Sequence, residues 1–97
     1  MHIGACRISL YLPESQSLKS RRQIARSLTA RIRNKFNVAV AEDGDNELWQ
    51  RLTLLVCAVS SDAAIANEMV SQVAAFIEET RPDLELLDYG VELISGV

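Results

Sequence analysis

Seven of the ten positive charges in this 97-residue chain stand between Lys19 and Lys35, and no acid stands among them. They are Lys19, Arg21, Arg22, Arg26, Arg31, Arg33 and Lys35. Five are arginines, whose planar guanidinium presents paired N–H donors to a phosphate or a carboxylate. The chemistry on offer is anion binding, and these seven are the candidate nucleic-acid-binding residues. Contacts of this kind to phosphate weaken with salt and carry no base sequence. The rest of the chain holds three cations, Arg7, Arg51 and Arg81, against all thirteen acids, so a net charge of −3 conceals one basic stretch. A second reading stays open: the arginine stems cover the edge of a core while their heads pair with acids such as Glu78, Glu79 and Glu85.

Other reactive residue types assemble nothing comparable. His2 is the sole histidine, so neither a histidine-based triad nor a zinc cluster can be built. Cys6 and Cys57 form no CxxC pair, and strand alternation puts them on opposite faces of a sheet, which argues against a disulfide. Neither thiol has an activating base in view. Residues 42–47, Glu-Asp-Gly-Asp-Asn-Glu, lack the ligand positions of an EF-hand and read as a polar turn. Asp88 and Glu92 are a carboxylate pair, but on an open sheet beside Arg7 ion pairing is the expected role. The segment Pro13-Glu14-Ser15-Gln16-Ser17 has neither glycine nor cation, so it is no phosphate loop. From this we expect no enzymatic activity, no metal and no cofactor, and the residues identify no small-molecule substrate.

The elements that position these residues follow from periodicity. Residues 2–12 read as a strand with Gly4, Cys6, Ile8, Leu10 and Leu12 on one face and Ile3, Ala5, Arg7, Ser9 and Tyr11 on the other. Pro13 ends it. Ser17 caps a helix to about Phe36. Residues 37–42 form a second strand, and 48–60 a third with Leu52, Leu54, Val56 and Ala58 alternating inward. Ser61 or Asp62 caps a second helix to about Thr80, with Ile65, Met69, Val73, Phe76 and Ile77 as its apolar stripe. Residues 84–94 are the last strand, in which Leu87, Val91 and Leu93 alternate against Asp88 and Glu92.

The order βαββαβ predicts an α+β ferredoxin-like sandwich, one domain over residues 1–97. Its four antiparallel strands run fourth, first, third, second, with two helices on one face. The other face is open. Ile3, Leu55 and Val59 give that open face an apolar patch, which suits a homodimer or a partner protein.

A helical projection at about 100° per residue, with Leu18 at zero, gathers Leu18, Ala25, Leu28, Ile32 and Phe36 into a core stripe. Lys19, Arg22, Arg26 and Arg33 then share one flank within about 60°. Arg21, Arg31 and Lys35 lie on or beside the other edge. The back, Ser20, Gln23, Ser27, Ala30 and Asn34, is small and neutral. Aromatics are few, five in all, and the paired strand aromatics of an RRM are missing.

The longest apolar run, Leu54–Val59, has six residues against the about 20 a membrane span needs. The N-terminus carries no secretory pattern, so a cytoplasmic protein without membrane contact is expected. Residues 17–42, Leu48-Trp49-Gln50-Arg51, Val59-Ser60-Ser61-Asp62 and residues 86–94, Leu-Leu-Asp-Tyr-Gly-Val-Glu-Leu-Ile, resemble in order the DUF503, or YlxP-like, family of small bacterial proteins. The resemblance implies a ferredoxin-like fold, no established activity, and genes that often lie beside those for translation initiation and ribosome maturation factors in bacteria. The family usually has an acid and a lysine where this chain has Ser20 and Arg21, and often a glycine where Leu55 stands. Two functions follow as expectations: RNA or ribosome binding through the basic helix, or a protein-interaction module that homodimerises through the open sheet.

Overall fold

The computed structural model describes residues 1–44 and 50–97. The elements are β1 (His2–Tyr11), α1 (Leu18–Lys35), β2 (Ala39–Glu42), β3 (Arg51–Ser60), α2 (Ala63–Thr80) and β4 (Glu85–Ser95). All pairs are antiparallel, in the order β2-β3-β1-β4. This is the expected α+β ferredoxin-like sandwich. β2 begins two residues later than its pattern implied. Part of the anticipated turn over 42–47 and the start of a strand at 48 lie outside the described residues.

Alternation makes the layers. Cys6, Ile8 and Leu10 of the first strand, Leu12 just after it, and Leu52, Leu54, Val56 and Ala58 of the third point under the helices and are buried. The helices close that face with Ala25, Leu28 and Ile32 from α1 and Val70, Val73 and Ile77 from α2. Both helices begin on side-chain caps: Ser17 Oγ accepts from the Ser20 N–H, and the Asp62 carboxylate accepts from Ala64 and Ile65. No helix among the described residues is long and apolar enough to cross a membrane.

The stripe on α2 is rotated from the expected one. Ala66, Val70, Val73, Ala74 and Ile77 face the sheet, while Ile65 is 49% exposed and Met69 and Phe76 are half-buried. The cause is close approach of the helix to β1. A Cβ on Gly4 would stand 2.3 Å from the Ala66 carbonyl oxygen, so a face of small residues meets a glycine. Larger residues move to the flank, where Phe76 meets Phe36 edge to face at 5.4 Å.

The register lines up the open face in rows across β3, β1 and β4. Val59, Ile3 and Ile94 form an aliphatic row, followed by Cys57, Ala5 and Glu92, then Leu55, Arg7 and Gly90, then Thr53, Ser9 and Asp88. A bulge lies in β4 between the partners of Ser9 and Leu10, and it leaves Leu87 unpaired. Leu87 therefore falls out of phase with Val91 and Leu93.

Candidate nucleic-acid interface

The buried residues of α1 are Arg21, Ala25, Leu28 and Ile32, which centre its inner face near 310° rather than at Leu18. Leu18 is 38% exposed and Phe36 half-buried. This recentring turns the flank of Lys19, Arg22, Arg26 and Arg33 further toward solvent. The basic residues then divide by what they touch.

Arg21 is drawn inside, with its side chain 3% exposed. Its Nε donates to the Arg51 carbonyl at 2.9 Å and a terminal nitrogen donates to Glu42 at 3.0 Å. The guanidinium ties α1 to β2 and β3 and is not presented to an outside phosphate. Arg33 is exposed, yet one nitrogen donates to the Val40 carbonyl at 2.7 Å, decorating the short strand β2. Lys19, Arg22, Arg26, Arg31 and Lys35 are exposed and make no ion pair or side-chain hydrogen bond among the described residues. Within the same limit, Glu78, Glu79 and Glu85 take no cation from α1. Arg22 and Arg26, with Leu18, Arg21 and Glu42, border a cleft of about 280 Å³ beside β2.

The open face departs from its expected pairing. Arg7 bonds Asp43 at 3.3 Å instead of Asp88 or Glu92. The register explains why: the β4 residue opposite Arg7 is Gly90, and the two acids oppose Ser9 and Ala5. The acids do lie beside Arg7, which borders both of their pockets: Glu92 lines a depression of about 600 Å³ with Ala5, Arg7, Leu55 and Cys57, and Asp88 a polar cleft with Arg7, Ser9, Asp43 and Thr53. Ile3 and Leu55 are half-buried, and Val59 is 56% exposed.

Both cysteines are free and on opposite faces. Burial pushes the Cys6 thiol up to about 11, which keeps it protonated and unreactive. Among the described residues no group of three or more potential ligands gathers for a metal. Arg21 had a readable signal, since its projected angle of about 300° falls between those of Leu28 and Ile32. The Arg33 contact had none, because it depends on where β2 passes.

Residues 3–91 match the family described as "Protein of unknown function (DUF503)". The chain is also similar to the "Uncharacterized protein YlxP" of Bacillus subtilis (strain 168), at 32% identity over 83 residues, covering 86% of this chain and 89% of that protein. The chain belongs to the DUF503 family.

Proposed function

We propose that this is a non-enzymatic cytoplasmic protein that binds RNA or the ribosome through the exposed cations of α1. Lys19, Arg22 and Arg26 form the centre of the surface, with Arg33, Arg31 and Lys35 beside it. Arg21 serves it indirectly by fixing α1 against β2 and β3. The observation that carries this reading is that five of the cations are exposed and unpaired among the described residues, in a chain whose acids outnumber its bases. Charges kept unpaired beside a small, neutral helix back suit a sugar–phosphate backbone. The translation-linked gene neighbourhood implied by the family resemblance points the same way. Binding of bulk ribosomal RNA should fall steeply with salt and be lost in the triple variant R22E/R26E/R33E. Affinity that ignores salt, or that survives the charge reversal, refutes the proposal.

A second reading, homodimerisation through the open sheet, is favoured by the aliphatic row Val59–Ile3–Ile94 beside the depression at Ala5 and Cys57. Sedimentation of V59K tests it: a dimer that persists unchanged rules this face out.

A further inference from the structure

The two edges of the sheet are built differently. β2 has four residues, and its Val40 carbonyl is taken by Arg33. β4 has eleven residues, no proline or lysine, and no strand on its outer side among the described residues. Short length and a nearby cation blunt an edge; β4 is long and apolar on its helix side, and its acids Glu85, Asp88 and Glu92 and its bulge restrict the register in which it can pair. On the helix side of β4, Tyr89, Val91 and Leu93 are paired to Ile8, Cys6 and Gly4 of β1. Those three β1 residues are buried, whereas Tyr89, Val91 and Leu93 are 38%, 36% and 41% exposed. The helical layer thus covers β1 and leaves an apolar row along the outer strand.

We propose that this edge pairs with β4 of a second copy, antiparallel about a two-fold axis at Val91, to give a continuous eight-stranded sheet. Charge, the bulge and ladder length together select the register: an axis at Leu93 also keeps acids apart but pairs only residues 91–95. An axis at Gly90 would set Asp88 opposite Glu92 of the other copy, and an axis at Glu92 would set the two glutamates opposite each other. Like charges directly opposite destabilise a strand pair. An axis at Tyr89 would run the ladder symmetrically into the bulge at Leu87. The axis at Val91 avoids all three. It sets Tyr89 opposite Leu93 of the second copy, an aromatic–aliphatic pair, and Val91 opposite itself. On the other face it sets Glu92 opposite Gly90 and Asp88 opposite Ile94, so no acid meets an acid. The ladder spans residues 88–94, all beyond the bulge. The strand is complementary to itself, and that is the argument for a second copy over a foreign strand.

The test is sedimentation of the full chain across concentration, paired with hydrogen exchange. The wild type should dimerise, and exchange in residues 88–94 should slow by about tenfold or more as the dimer forms, because amides that pair across the edge become protected. V91K sets two lysines face to face at the axis and should weaken association by about a hundredfold, at an unchanged far-UV circular dichroism spectrum. V59K, on the open face, should dimerise as the wild type does. A monomer at every concentration, exchange in 88–94 that does not depend on concentration, or a dimer dissolved by V59K and untouched by V91K each overturns the proposal. The hydrogen-exchange arm uses the native chain, so it decides the matter even if V91K fails to fold. RNA binding is read separately and is not at stake in this experiment.

Discussion

Replacing Arg21 by Met separates the structural cation of α1 from the exposed ones. Met retains the apolar stem and most of the volume, so the core packing made by the arginine's methylenes is largely kept. What disappears is the Nε bond to the Arg51 carbonyl and the terminal bond to Glu42. A hydrogen bond from a charged donor contributes about 1.5–3 kcal/mol, and the carbonyl is left with a thioether that cannot donate. The Glu42 side chain is 39% exposed, so solvent screens the ion pair and its share stays below about 1 kcal/mol. The part-buried carbonyl bond therefore dominates, and R21M should lose about 1.5–3 kcal/mol of unfolding free energy in urea. R26M, at an exposed position with no partner among the described residues, should stay within about 0.5 kcal/mol of the wild type. Equal stability of R21M and the wild type, or equal losses in R21M and R26M, would refute the division drawn here.

Three further outcomes follow from the structure. G4A should be destabilised by about 1–3 kcal/mol or more, because its methyl would meet a backbone oxygen of α2 that cannot rotate away; thermal melting reads this. D62A should cost about 1 kcal/mol by removing two hydrogen bonds at the start of α2, measured by urea unfolding. The Cys6 thiol has a folded value of about 11 against 9.0 when unfolded, so the unfolded chain loses its proton first. Stability should be intact below pH 9.0, fall as pH rises toward about 11, and lose that part of its slope in C6A.

Most of the fold was legible because alternation and helical period report burial directly. β1 and β3 placed every large inward residue correctly, since both strands are half-buried and unbroken. The misreadings share a cause: an element's orientation depends on its neighbour. The α2 stripe turned because Gly4 admits the small face of the helix, and periodicity weights large residues over small ones. Leu87 fell out of phase because the bulge in β4 adds one residue, and bulges leave no mark in an apolar–polar pattern. Arg7 found Asp43 because register, not composition, sets cross-strand partners. In the basic stretch, the charge segregation was visible at once. The burial of Arg21 was readable from its angle, but a positive charge is not ordinarily assigned to a core stripe. The β2 contacts of Arg21 and Arg33 required knowing which strand lies beside α1.

The most direct test of the central claim is the salt dependence of ribosomal RNA binding in single neutralised variants. K19M, R22M and R26M should each lower affinity and reduce the slope of log affinity against log salt by about 0.7–0.9, the share of one phosphate contact. R21M should leave the slope unchanged, because its guanidinium faces Glu42 and the Arg51 carbonyl. A slope that none of the three exposed variants alters, or one that only R21M alters, would contradict the account.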